Sequence, residues 1–219
     1  MTRRFARLRN AGFVALAITA SMAIGLAPTA MAKKKKKKKT VEVTKTATVN
    51  QCVNVSSPID DEPFSIGTAT IPVSLPPLRG QSQPGSVTAL TSVGVRLSHG
   101  FDGDLLLLLV SPNGTTVTLA AKRGGAGDDY GSGLASCSGT RTFFGDAFAT
   151  PISTGTPPFA GFFRPDQLLS SLVGGPANGI WKLLVIDTAD GDEGVLHAFS
   201  LNFTYTYKQL MTVKKKKKK

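Results

Sequence analysis

The sequence predicts an all-β domain, an antiparallel sandwich of the jelly-roll type with very little helix. From Val87 to Leu97 every second position is apolar except Thr91, which is the period of a strand with one buried face. Leu105 to Val110 is a continuous apolar run, as expected of a central strand covered on both faces. Glycine- and proline-rich segments separate such runs, and many short strands joined by turns are typical of sandwiches.

Further strands and one short helix follow along the chain. Thr115 to Ala121 returns after a Ser-Pro-Asn-Gly turn, Ile180 to Ile186 is a second buried run, and Val195 to Tyr207 alternates again. Asp166 to Leu172 predicts a helical turn with Asp166 as its N-cap and a stop at Gly174.

Aromatic residues of the last two strands fall where burial is expected. Trp181, Phe199 and Phe203 alternate correctly for the inner face, so we interpret them as core residues rather than a ligand platform.

Other segments flank this domain. Residues 1–32 resemble a secretory signal, with four arginines, an apolar core and small residues at Ala30-Met31-Ala32; an uncleaved anchor is the alternative. No later apolar run is long enough for a second membrane span. The predicted division is a signal at 1–32, a lysine tract at 33–39, a linker or extra strand at 40–63, the sandwich at 64–207 and a basic tail at 208–219.

The net charge of +12 comes from the ends of the chain. The lysine tracts hold 13 of the 26 basic residues and the signal holds four, which leaves nine against 14 acidic residues, a balance of about −5. The 174 residues between the tracts, 40–213, suit one acidic domain with its own core.

Cys52 and Cys137 both follow the signal. An even pair in an exported chain predicts one disulfide, with two free thiols as the alternative. Closing a loop of about 85 residues stabilises the fold by roughly 4 kcal/mol on the chain-entropy model. No cysteine–histidine cluster has zinc-site spacing.

A series of short motifs occurs between Phe64 and Tyr207. They are His99-Gly-Phe-Asp-Gly-Asp104-Leu, Ser111-Pro-Asn-Gly-Thr115, Phe144-Gly-Asp146-Ala147, Gly161-Phe-Phe-Arg164-Pro165, Asn178-Gly-Ile-Trp181 and Gly191-Asp192-Glu-Gly194. In this order they resemble the P domain (P/Homo B domain), the β-sandwich that follows the catalytic domain of kexin- and furin-like subtilisin proteases. Phe199 stands where that family usually has a tryptophan.

The resemblance implies a module that stabilises and tunes a neighbouring protease, yet no subtilisin-like domain occurs in the sequence. Val185-Ile-Asp187 superficially resembles a catalytic strand. The Asp, His, Ser order of subtilisins is absent, and so is a Gly-x-Ser-x-Gly elbow. A convergent triad using His99 or His197 lacks any sign of an activated serine. We therefore predict a chain that is not an enzyme.

Two acidic turns are candidates for a calcium site. If they lie together, as the resemblance implies, their carboxylates offer the hard oxygen ligands that Ca²⁺ prefers. The alternative is that these residues only form turns at strand ends. The predicted ligands are Asp102, Asp104, Asp187, Asp190 and Asp192.

The lysine tracts are either disordered solubilising tails or adhesive segments for anionic polymers and headgroups. No aromatic residue interleaves with the lysines, so only phosphate attraction is available, and we predict no specific nucleic-acid recognition. The sequence thus favours a secreted or cell-surface module that binds an anionic surface or a secreted protein. The alternatives are an accessory domain for a subtilisin-like serine endopeptidase and a hydrolase with an unrecognised site.

Overall fold

The structure is a computed structural model that describes residues 38–61, 64–74 and 85–213. The predicted signal, most of the first lysine tract and the final six lysines lie outside the described residues. The described part contains strands β1 Lys39–Ile59, β2 Ile66–Val73, β3 Ser86–His99, β4 Leu105–Val110, β5 Thr116–Ala121, β6 Thr142–Phe144, β7 Gly161–Phe163, β8 Gly179–Asp187 and β9 Gly194–Val213. Three short 3-10 turns lie at Asp102–Asp104, Ile152–Thr154 and Leu169–Leu172.

These strands form two sheets. One has the order β1-β9-β3-β6-β7 and the other β2-β8-β4-β5; all pairs are antiparallel except β6 with β7. The all-β prediction is confirmed, whereas the jelly-roll type stays a prediction. No helix within the described ranges has the length and apolar character needed to cross a membrane.

The longest pairing joins the two ends of the described chain. β1 runs antiparallel to β9 from Lys39 beside Val213 to Ile59 beside Gly194. Strand β1 therefore occupies most of residues 40–63, the segment for which we predicted either a linker or an extra strand. Strand β9 also continues through residues 208–213, where we predicted a tail, because β1 supplies backbone partners along that length.

The core lies between the two sheets. Trp181, Phe199 and Phe203 are fully buried, and the rings of Trp181 and Phe203 are 5.2 Å apart. The indole N–H of Trp181 donates to the Ala177 carbonyl at 3.2 Å, which satisfies the one polar atom of that side chain.

The predicted helix is a single 3-10 turn at Leu169–Leu172 and Asp166 does not cap it. The Asp146 carboxylate accepts hydrogen bonds from the N–H groups of Leu169 (2.7 Å) and Ser170 (2.8 Å) instead. Asp166 forms a two-point ion pair with Arg123, at 2.7 and 3.0 Å. A residue distant in sequence thus performs the capping that local spacing assigned to Asp166.

Candidate functional site

The two acidic turns meet at one end of the sandwich. The first is the Asp102–Asp104 turn after β3, and the second joins β8 to β9. Thr188 donates its backbone N–H (3.1 Å) and its hydroxyl (2.7 Å) to the Asp104 carbonyl. Gly194 pairs with His99, and a Cβ at Gly194 would collide with the Ser98 carbonyl. Glycine is therefore required where the second turn closes against the first.

A buried histidine–aspartate pair links the two sheets at this end. The Nε2 of His99, on β3, lies 3.0 Å from the Oδ2 of Asp187, on β8, and both side chains are almost inaccessible. The other oxygen of Asp187 accepts the Ala189 N–H at 3.2 Å. His99 contacts Phe101 within its own turn, as expected, at 3.1 Å from the carbonyl. Asp187 therefore has a structural partner that sequence reasoning missed.

The structure separates the groups that a catalytic triad would join. Ser98 lies 2.9 Å from Nε2 of His197, while the carboxylate of Asp187 pairs with His99. Burial and Arg96 lower the pKa of His197. Across residues 38–61, 64–74 and 85–213, no serine, histidine and carboxylate are connected by successive hydrogen bonds. The arrangement offers no relay for activating a serine.

The five predicted calcium ligands do not form one ligand set. Asp187 is paired with His99, the Asp192 side chain packs against Gly100, and Asp190 is exposed. In the described residues no three side chains of histidine, cysteine, aspartate or glutamate are placed to hold a metal ion. The prediction that the chain binds calcium stays a prediction.

Asp102 occupies an unusual environment. It is fully buried, and neither carboxyl oxygen has a hydrogen-bond partner. Burial, with the nearby charges of Asp129 and Asp128, raises the pKa of Asp102 from 3.8 to about 8. The backbone N–H of Asp129 acts in the opposite direction and lowers this pKa. The glycine-rich composition of residues 123–131 was visible in the sequence, but its contact with Asp102 was not.

The predicted disulfide is present. Cys52 on β1 is bonded to Cys137 in the loop before β6, with Cα atoms 6.1 Å apart. The Cys137 N–H also donates to the Asn54 side chain at 2.7 Å. The bond attaches the outermost strand of the five-stranded sheet to a loop that is 85 residues distant in sequence.

Part of the outer surface of the four-stranded sheet is unexpectedly apolar, although exposed Thr68, Thr70 and Lys182 lie beside it. We predicted that Leu105–Val110 would be covered on both faces, but only the inward residues are fully buried and the outward ones are partly buried. Ile66 and Ile180 on the same surface are 52% and 54% exposed. The ladder places neighbouring outward residues side by side, and we call this group the apolar face: Ile66, Ile186, Leu106, Leu184, Leu108 and Val110.

The fold and these geometries define an all-β sandwich whose described part presents an apolar sheet face and two linked turns. The sequence model of the proprotein convertase P-domain matches residues 89–203, just over half of the 219-residue chain. The chain therefore belongs to the proprotein convertase P-domain family, a protease-associated class of non-catalytic β-domains. The resemblance that we inferred from the motifs is confirmed.

Similar proteins are larger than this chain. Leupeptin-inactivating enzyme 1 of Streptomyces exfoliatus is 29% identical over 127 residues, which cover 58% of this chain and 21% of the relative. A serine protease structure from Aeromonas sobria is similar over 76% of this chain and 27% of its own, at 20% identity and a TM-score of 0.40. The structure of the same organism's serine protease in complex with a chaperone is similar over 74% of this chain and 27% of its own, at 21% identity and a TM-score of 0.43. The chain spans about a fifth of the curated relative it matches.

Proposed function

We propose that this chain is a secreted, non-catalytic P-domain module that binds a protein partner through the apolar face. The observation that carries the proposal is that the apolar sequence of β4 does not match the partial burial of its outward side chains. β4 is apolar at every position, the pattern of a strand buried on both faces, yet its outward residues Leu106, Leu108 and Val110 are only partly buried. A protein that covers this face would complete the burial for which the sequence is suited.

The size and continuity of the apolar face support this role. Ile186 lies between Ile66 and Leu106 in the ladder, and Leu184 lies beside Leu108. Contiguous apolar patches on a soluble domain are typical of interaction surfaces, whereas isolated apolar residues are not. Fully burying a leucine or isoleucine side chain contributes about 1.5–3 kcal/mol, so a few such residues suffice for a specific contact.

Secretion is part of the proposal. The features of residues 1–32 predict export. The Cys52–Cys137 bond supports it, because structural disulfides persist mainly in oxidising compartments.

A subtilisin-like serine protease is the partner class that family membership favours. The matching family accompanies proprotein convertases, and the similar chains include an enzyme and serine proteases that are several times longer. We infer that the apolar face is where such a protease would dock, whether it lies on the same polypeptide or another one.

The test uses cross-linking of the purified chain with a subtilisin-like protease from the same source. We expect a one-to-one product that is lost when Leu108 and Leu184 are both replaced by lysine. Thr204→Lys, on the outer surface of the other sheet, is the matched control and should bind normally. Equal binding by the double variant would disprove the apolar face as the docking surface.

A second candidate function is adhesion to anionic surfaces through the lysine tracts. The register supports it, because Lys39 pairs with Val213 and both tracts therefore join the domain at neighbouring residues. Linked sites gain avidity when they start from one point, and each lysine near an anionic lipid surface contributes about 1 kcal/mol.

Vesicles with and without phosphatidylserine test this second function. We expect binding only to the anionic vesicles, weaker after deletion of one tract and abolished by salt or by deletion of both. Binding that survives removal of both tracts would refute it, and cross-linking to a protease would be unaffected by that result.

A further inference from the structure

The environment of Asp102 points to a ligand. Its carboxyl group is fully buried, with both oxygens unpartnered, at the start of a 3-10 turn. A buried carboxylate without hydrogen bonds or a counter-charge is strongly destabilising. The group must therefore be neutralised, either by a proton or by a cation.

A loop of glycines lies against this carboxyl. We call residues 123–131 the glycine loop. The Asp102 N–H donates to the Gly127 carbonyl and the Gly103 N–H to the Gly125 carbonyl, each at 2.9 Å. These bonds hold a row of backbone carbonyls over the turn, and each carbonyl oxygen keeps a second lone pair.

Gly124 makes the close approach possible. Its φ of +100° favours glycine, and a Cβ there would lie 2.9 Å from the Asp102 Cβ. Any larger residue would push the loop backbone away from the carboxyl. The loop backbone thus lies close to the Asp102 side chain.

Two further acidic residues, Asp128 and Asp129, lie near Asp102. Asp129 accepts hydrogen bonds from the His99 N–H (3.1 Å) and from Arg96 (3.5 Å), so its carboxylate is fixed. Asp129 and Asp128 both disfavour ionised Asp102. A cation reverses this effect, because it attracts all three carboxylates.

We propose that the space between Asp102 and the glycine loop is a calcium site, with the Asp102 carboxylate as its anchoring ligand. Backbone carbonyls of the loop and water supply the remaining ligands. Ca²⁺ fits this chemistry because it accepts many oxygen ligands in flexible geometry. Zinc prefers nitrogen and sulfur ligands, and magnesium demands a stricter octahedron.

The competing explanation is a carboxyl group that is simply protonated. Phe159 and Pro157 lie beside Gly124, and an apolar wall of this kind favours the neutral acid. A neutral carboxyl still needs an acceptor for its O–H, and the described surroundings provide no hydrogen bond to either oxygen. Calcium accounts for both oxygens and for the carbonyl-rich loop, whereas a proton accounts for the burial alone.

Thermal unfolding of the full chain at pH 8 in EGTA and in millimolar Ca²⁺ tests the proposal. We expect calcium to raise the midpoint, because an ion that binds only the folded state stabilises it by mass action. Asp102→Asn should abolish this shift. Asp190→Asn, an exposed residue of the other acidic turn, is the matched control and should keep it. A wild-type midpoint that calcium does not move, or a shift lost only in the control, overturns the proposal.

Terbium luminescence gives a second measurement that does not depend on stability. Tyr130 is a buried member of the glycine loop, and its hydroxyl lies 3.5 Å from the Arg123 carbonyl, so its ring is placed to sensitise Tb³⁺ bound beside the loop. We expect emission that calcium displaces, a weaker signal in Tyr130→Phe, and none in folded Asp102→Asn. Emission retained in Asp102→Asn would place the ion elsewhere and contradict the proposal.

Discussion

The outer surfaces of the two sheets differ in their chemistry. The five-stranded sheet presents Ser92, Asn202, Thr204 and Thr206 to solvent, and the Asn202 amide donates to the Ser92 hydroxyl at 2.9 Å. The four-stranded sheet presents the apolar face instead. The polar character is confined to the β3–β9 part of the first surface, and the apolar character to the part of the second surface around β4 and β8.

This difference teaches how to interpret the two strand patterns. Alternation in β9 indicates one buried face, and residues 201–205 follow it. In β3 register shifts between Val87 and Ala89 and between Leu90 and Ser92 interrupt the predicted alternation, so that Leu90 is buried and Thr91 is exposed. The continuous apolar run of β4 indicates two buried faces, yet only the inner one is covered in the described residues. A continuous run can therefore indicate either a layer of the same domain or a partner.

The largest expected effect distinguishes the two sides of β4. Leu107 points inward and is fully buried, so Leu107→Ala should cost about 2–5 kcal/mol. Leu108 points outward and is only partly buried, so Leu108→Ala should cost less, about 1 kcal/mol. Urea unfolding of both variants checks this prediction. Equal losses would mean that the apolar face is already covered within the chain.

The next effect concerns β1, an edge strand of the five-stranded sheet. Replacing Cys52 and Cys137 by serine should cost about 2–4 kcal/mol, because the unfolded chain regains the freedom that an 85-residue loop closure removed. Wild-type protein unfolded under reducing conditions is the control and should match the variant. Unchanged stability in both would show that the pairing of β1 with β9 holds the edge without the bond.

A pH dependence is expected from Asp102. Its pKa is about 8 in the fold and 3.8 ordinarily, so between these values the folded chain holds a proton that the unfolded chain has released. Stability should therefore fall as the pH rises from about 4 to 8, by on the order of 5 kcal/mol in calcium-free buffer, because each of the roughly four pKa units corresponds to about 1.4 kcal/mol. Unfolding curves at several pH values measure this change.

Asp102→Asn is the variant that isolates the group. It should flatten this fall, because the amide stays neutral across the range. A slope that persists in the variant would assign the proton to another group.

The last prediction concerns a change to the apolar face that should have the smallest effect on the stability of the fold and the largest effect on protease binding. Replacing Leu108 and Leu184 by threonine makes the apolar face resemble the other sheet, and threonine suits a strand. We expect a change in unfolding free energy of about 1 kcal/mol or less, together with loss of the protease cross-link. Size-exclusion chromatography checks that the variant stays folded. Retained cross-linking would show that the apolar face is not needed for protease binding.

The strands with clear periodicity could be predicted from the sequence. β3, β8 and most of β9 follow from local patterns, and the family follows from motifs in order. β1 could not be settled, because its weak alternation becomes a strand only through a partner more than a hundred residues away. The cap supplied by Asp146 was missed for the same reason, since the acceptor and the N–H groups are 23 and 24 residues apart.

The candidate site was only partly within reach of the sequence. The aspartates could be named and their turns placed together. The different partners of these aspartates could not be predicted, because they depend on how the side chains pack. Asp187 pairs with His99, whereas the Asp102 side chain lies beside the glycine loop. Backbone carbonyls leave no trace in side-chain identity, so a site built mainly from them is invisible to motif searches.

The pairing of Lys39 with Val213 also determines which end of the sandwich lies far from the two lysine tracts. The ladder that begins there ends at Ile59 beside Gly194, next to the turns that contain His99 and Asp187. At about 3.3 Å per residue, a 21-residue strand spans roughly 65–70 Å. A chain held at that first pair would therefore present its acidic turns, and the proposed calcium site beside them, at the far end and away from whatever holds it.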